Sequence, residues 1–221
     1  MILSRDIRAI VFDFDGVLTV AGEDAKQDAW KPIEATWMPV FCKLRLEAEK
    51  KFRHAKGSRF DILRETFQKA GCPETLIESM VTVYAEAYGI SVIELLKQSG
   101  MPLGAKDMLG QLANRFPLFL NSGTPEKSLL EITELFEISE SFVGIFGMPS
   151  KKVQNLQRAM ATASCQPDQI LFVGDGLGDL DAATEFGCQF VGIPKPWNGW
   201  TKESVNFPLI SVVTELPTLL R

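Results

Sequence analysis

The chain has 221 residues, 46% hydrophobic and 23% charged, with a net charge of −5. That apolar content suits a sizeable core, in one large domain or in a core carrying a smaller insert. The acidic balance excludes a global attraction for nucleic acid or an anionic membrane, so an anionic ligand has to be met by local positive groups.

Cys42, Cys72, Cys165 and Cys188 are widely spaced, with no Cys-x-x-Cys, and read as reduced, mostly buried thiols. The first residues lack a long apolar segment and a cleavage signature, and no later run reaches membrane-spanning length; the cytoplasm is the expected location. His54 is the single histidine, which excludes a multi-histidine metal site and leaves acid–base chemistry to carboxylates.

In chain order, the apolar run 7–14 reads as a strand ending in Asp13-Phe14-Asp15-Gly16. In a strand, residues two apart point the same way, so Asp13 and Asp15 are expected on one face. Neighbouring carboxylates repel unless a cation, a shared proton or a division of roles compensates them. An acidic strand-to-turn junction fits the same residues, because Asp and Gly are common turn formers.

Residues 27–96 carry helical patterning. Helices are expected over 43–52, over 60–70 with Ser58 as N-cap and Gly71 as stop, over 76–88, and over 90–97. Beyond Pro102, helices and strands alternate: helix 105–114, strand 117–121, helix 125–135, strand 142–146, helix 152–163, strand 170–173, helix 180–186 and strand 189–193. A last strand, 209–213, precedes a short C-terminal helix. This alternation predicts an α/β fold with a doubly wound parallel sheet, built from residues 1–19 and 102–221, with an all-helical insert over 20–101. Such sheets bind ligands at the carboxyl ends of their strands, so an insert leaving strand one there is placed to act as a lid.

Other strand ends also carry chemistry. In Asn121-Ser122-Gly123-Thr124-Pro125, Thr124 is expected as N-cap and Pro125 as first helical residue. Ser122 and the amides from Gly123 on would then form an anion site at a helix N-terminus, or merely a capped helix start. In Gly174-Asp175-Gly176-Leu177-Gly178-Asp179, Asp175 leaves an apolar strand, where a carboxylate is costly unless compensated; magnesium suits such a group, while Asp179 could equally cap the next helix. Lys151 and Lys152 are either solvated surface or the positive charge that holds a phosphate.

Taken together, these four stretches resemble the motifs of the haloacid dehalogenase-like hydrolase superfamily, in its helical-cap phosphatase branch of phosphoglycolate phosphatase and beta-phosphoglucomutase types. The resemblance implies a Rossmann-like core with a cap domain and a magnesium-dependent phosphatase acting on a small phosphorylated metabolite. It implies Asp13 as nucleophile, Asp15 as general acid and base, Ser122 and Gly123 as phosphate ligands, and Lys152 as charge stabiliser. Magnesium is implied at Asp13, Asp15 (through its carbonyl), Asp175 and Asp179. An aspartate at position 15 separates this chain from the dehalogenases and phosphonatases. The departure is Gly147-Met148-Pro149, where many relatives have Gly-Lys-Pro; the lysine comes later, with spacing to Leu156 favouring Lys152 over Lys151.

In the cap, Lys56 and Arg59 lie in a basic loop resembling the specificity loop of capped relatives, although a solvated basic turn fits as well. Trp197 and Trp200 either flank a site or pack on the core. A phosphoglucomutase-like phosphotransferase and a non-catalytic phosphometabolite sensor or partner-binding protein are the alternatives. No nucleic-acid or membrane partner is expected, and the assembly is a monomer or homodimer.

Overall fold

A computed structural model of the protein describes residues 6–55 and 58–220. Contacts divide the chain into two compact units, residues 1–23 with 99–221 and residues 24–98.

The first unit is a five-stranded, wholly parallel sheet of β1 (Ala9–Phe12), β2 (Leu118–Pro125), β3 (Gly144–Met148), β4 (Ile170–Gly174) and β5 (Gln189–Gly192), in the order β3-β2-β1-β4-β5. The strands of such a sheet are covered on both faces, which is why β1 reads Ala-Ile-Val-Phe without alternation. Ala9 and Val11 enter a core cluster with Phe119, Phe172 and Leu156, while Ile10 and Phe12, pointing the other way, are equally buried. The helices of this unit are α6 (Ala105–Ala113), α7 (Glu126–Leu135), α8 (Lys152–Ala163), α9 (Leu177–Phe186) and the short C-terminal helix Leu216–Leu219.

Register brings the strand ends level. Phe12 lies beside Leu120 on one side and Val173 on the other, and the Asp13 N–H donates to the Val173 carbonyl at 2.8 Å. β2 and β4 flank β1 on opposite sides, so the chain order reverses at β1, the switch point at which open α/β sheets form their ligand crevice.

The second unit is helical: α1 (Gly22–Asp28), α2 (Lys31–Glu34), α3 (Pro39–Ala55), α4 (Arg59–Lys69) and α5 (Glu74–Ser99). α4 starts as expected, with a reciprocal box in which Ser58 Oγ accepts from the Asp61 N–H and the Asp61 carboxylate accepts from the Ser58 N–H at 2.7 Å. The buried face of α5, Ile77, Val81, Ala85, Tyr88, Val92 and Leu96, recurs every three or four residues. Arg45, 4% exposed, is compensated by Glu34 and Glu49, each at 2.6 Å, and stacks 5.0 Å from the Trp30 ring.

Several expectations are corrected. Residues 76–88 and 90–97 form one helix, because an isolated glycine, Gly89, weakens a helix without ending it. That single 26-residue helix is, among the described residues, long and apolar enough to cross a membrane by length and composition, which the split reading had hidden. Residues 209–213 make only an isolated bridge, Gly192 to Leu209. β1 is shorter than expected and stops at Phe12, so Asp15 lies in the following turn rather than on the strand. β2 instead runs on to Pro125, which is the N-cap of α7, and Thr124 caps nothing. Of the four free thiols only Cys165 is buried, the other three being half-buried.

Candidate active site

At the switch point the acidic residues converge. Asp13, Asp15, Asp175 and Asp179 are each at most 7% exposed. One carboxylate oxygen from each of Asp13, Asp175 and Asp179 lies within 4.8 Å of the others. The Lys152 ammonium, at the first residue of α8, donates to Asp13 Oδ1 at 2.8 Å and also bonds Asp179. Lys151, one residue earlier, is exposed, so the helix start turns Lys152 and not its neighbour to the acids.

Two glycines let this cluster close. Gly16 adopts φ +75°, and a Cβ there would stand 2.1 Å from Asp175 Oδ2. A Cβ on Gly174 would stand 2.4 Å from the Asp179 Cβ. Asp179 is not the N-cap of α9; it is the third helical residue, and its carboxylate takes the Gly176 N–H at 2.9 Å while its other oxygen meets Lys152.

The acids in the cluster outnumber the single lysine. Burial, first, and then the charges of Asp179, Asp175 and Asp15 push the Asp13 carboxyl up to about 8, against the opposing pull of Lys152. Burial pulls the Lys152 ammonium down, but the Asp13 and Asp179 carboxylates outweigh it and hold the group above its ordinary value. A proton or a cation has to take up the excess negative charge. Three convergent buried carboxylate oxygens, with a backbone that leaves no room for another carbon beside Asp175, fit a hard divalent cation such as magnesium.

Asp15 has other partners. Its Oδ2 accepts from the Thr124 hydroxyl at 3.0 Å and from the Ser122 hydroxyl at 3.4 Å, and Ser122 Oγ takes the Thr124 N–H at 3.0 Å. Asp13 and Asp15 thus sit two residues apart in sequence yet face different groups. Gly123 is exposed between the two hydroxyl residues.

The sequence reading missed Thr124 as a site residue, because Thr followed by Pro has the pattern of a helix start. It also missed Asn121 and Asn155, both fully buried and bonded to each other at 3.0 Å. Asn121 holds the Lys152 carbonyl at 3.0 Å, fixing the start of α8 against β2. A polar residue inside an apolar strand was the available signal.

Lys56 lies outside the described residues. Arg59 belongs to the helical unit, with its guanidinium 5.2 Å from the Phe60 ring and 5.6 Å from the Tyr88 ring; its Nε is buried without a hydrogen-bond partner among the described residues, and burial holds the group below the usual guanidinium range. Trp200 is buried edge-on against Phe190 and Phe207, whereas Trp197 is 46% exposed.

A family model described as haloacid dehalogenase-like hydrolase matches residues 7–187. Phosphoglycolate phosphatase of Vibrio parahaemolyticus serotype O3:K6 is 27% identical, over 92% of this chain and 91% of that protein. Among solved structures, a haloacid dehalogenase-like family hydrolase from Streptococcus pneumoniae aligns with a TM-score of 0.66 at 19% identity, over 99% of this chain and all (100%) of that one. Beta-phosphoglucomutase from Clostridium difficile aligns with a TM-score of 0.65 at 19% identity, over 95% and 93% of the two chains. With the model spanning most of its length, this chain belongs to the haloacid dehalogenase-like hydrolase family and is an enzyme of that family.

Proposed function

We propose that the protein is a magnesium-dependent phosphatase that hydrolyses a small phosphomonoester through an aspartyl-phosphate on Asp13. The observation that carries this reading is the Asp13 carboxylate, braced by Lys152 at 2.8 Å inside a buried acidic cluster and two residues from a second, differently held aspartate. Asp13, Asp175 and Asp179, with the Asp15 carbonyl, are the groups that would hold the cation. A bound magnesium offsets the repulsion between the carboxylates and an incoming phosphate.

In this reading a carboxylate oxygen of Asp13 attacks phosphorus while the bond from phosphorus to the leaving oxygen breaks. Asp15 gives its proton to that oxygen, then takes one from the water that attacks the aspartyl-phosphate, releasing inorganic phosphate and restoring Asp13. The Ser122 hydroxyl and the Gly123 amide hold phosphoryl oxygens, and Lys152 neutralises charge as the two anions meet. Residues 20–101 are proposed as the lid and residues 1–19 with 102–221 as the catalytic core. A lid favours small substrates, and the name of the Vibrio relative makes phosphoglycolate the first compound to test. The four free cysteines are consistent with a reducing, cytoplasmic setting.

The test is phosphate release from p-nitrophenyl phosphate, phosphoglycolate and a panel of sugar phosphates, with and without magnesium. Magnesium-dependent release supports the reading. No release from any compound overturns it, and sugar-phosphate isomerisation faster than release would assign the phosphotransferase chemistry instead.

A further inference from the structure

We infer that Asn198, in the loop after β5, is a positioning residue for the cation site, acting through the backbone of Asp175. The inference rests on the assignment of Asp175 as a metal ligand under the proposed function.

The Asn198 side chain uses both ends of its amide. Its Nδ2 donates to the Asp175 carbonyl at 2.9 Å and to the Ile193 carbonyl at 3.0 Å. Its Oδ1 accepts from the Lys195 N–H at 3.1 Å and from the Trp200 N–H at 3.0 Å. The loop is itself anchored, because Trp200 is packed edge-on between Phe190 and Phe207. Asn198 therefore transmits the position of a fixed aromatic cluster to one peptide group of the acidic turn.

β4 ends at Gly174, whose carbonyl takes the Ile193 N–H at 2.9 Å, and Asp175 begins the turn, where the Asn198 amide meets its carbonyl. On its other side the Asp175 carboxylate is pressed against the bare Cα of Gly16, where a single added carbon would stand 2.1 Å away. Asp175 is thus held between Gly16 and Asn198. Its carboxylate meets those of Asp13 and Asp179 within 4.8 Å, and oxygen ligands for magnesium tolerate little displacement. A side chain that merely shaped the loop would need its bonds to Lys195, Ile193 and Trp200 but not the bond to Asp175.

The experiment is magnesium titration of the full-length protein by calorimetry, together with the magnesium-induced rise in melting temperature, for wild type, Asn198→Ala and Asn198→Asp. Aspartate keeps the acceptor for the Lys195 and Trp200 amides and loses both donors. Its added negative charge attracts a cation, so weaker binding by this variant cannot come from lost charge. Both variants are expected to bind magnesium about tenfold more weakly or worse, with turnover recovering at saturating magnesium. Magnesium affinity within about twofold of wild type in either variant, by the same scale, overturns the inference and leaves the phosphatase reading intact. Variants unfolded at room temperature without magnesium also overturn it, by showing that Asn198 supports the fold instead. A wild-type protein that binds no magnesium sinks the cation-site assignment, and the inference with it.

Discussion

The Thr124 hydroxyl donates to Asp15 Oδ2 across 3.0 Å, between residues 109 positions apart in the chain. Ser122 reaches the same oxygen, so two side chains from the end of β2 hold the acid–base aspartate of the proposed mechanism, while Lys152 bonds Asp13. Replacing Thr124 with Val keeps the shape and removes the donor. We expect kcat to fall about tenfold, ~1.4 kcal/mol of transition-state stabilisation, with KM little changed. Thr124→Ser should restore most of the rate; if it is as slow as the valine variant, the hydroxyl is not what matters.

Asp13→Asn should abolish turnover while leaving the chain folded. It should also raise the melting temperature of the metal-free protein, because a neutral amide replaces a buried carboxylate crowded by Asp179, Asp175 and Asp15. Thermal denaturation with a chelator present checks the second half. A melting temperature below that of wild type would mean that the Lys152 contact outweighs the repulsion.

Lys152 and Lys151 are adjacent in sequence and opposite in environment. Lys152→Met should cost on the order of a hundredfold in kcat/KM, ~2.7 kcal/mol, since it removes the cation bonded to both Asp13 and Asp179. Lys151→Ala should leave the steady-state rate at the wild-type level. Equal losses in the two variants would overturn the assignment of the charge-stabilising role.

Chelation should abolish activity, and added magnesium should restore it. At a magnesium concentration about a hundred times its dissociation constant, binding to the folded state alone adds ~2.7 kcal/mol of stability, readable as a rise in melting temperature. Gly16→Ala places a carbon 2.1 Å from Asp175 Oδ2 and must displace that carboxylate. It should therefore lose the magnesium-induced rise; a full rise would show that Asp175 does not take part in binding.

The start of α4 offers a pH test away from the site. Bonds from the Ser58 hydroxyl, first, and from its backbone N–H hold the Asp61 carboxyl below its usual range. A group depressed in the folded state contributes stability above its ordinary value of 3.8 and loses it as pH falls through the lower folded value. Ser58→Ala should cost ~1 kcal/mol at neutral pH, and the deficit should shrink as the pH falls below that ordinary value. Urea unfolding of the two proteins at neutral and acidic pH measures the difference.

Much of the core was legible in the residues alone. Helix 152–163 was placed at both ends, and the apolar runs that became β1, β2 and β4 were recognised with their terminal acids and serine. Strand and helix periodicity are local properties, and a buried parallel strand announces itself as an uninterrupted apolar run. The acidic pair, the glycine-flanked Asp175 and Asp179, and a lysine at the head of a helix are likewise readable as residue types at strand ends.

Orientation was not readable. Thr124 and Pro125 have the local pattern of a helix cap, yet β2 extends through them and turns the Thr124 hydroxyl to Asp15. Gly89 looked like a helix boundary and lies inside α5 because packing on both sides of it continues. Pairing Asn121 with Asn155 and tying Asn198 to Asp175 both depend on register and helix phase between distant segments. The sequence by itself determined the chemical groups available, because composition and periodicity act within a few residues. Only the tertiary structure decided which group faces which, because sheet register sets the neighbours of a side chain more than a hundred positions away.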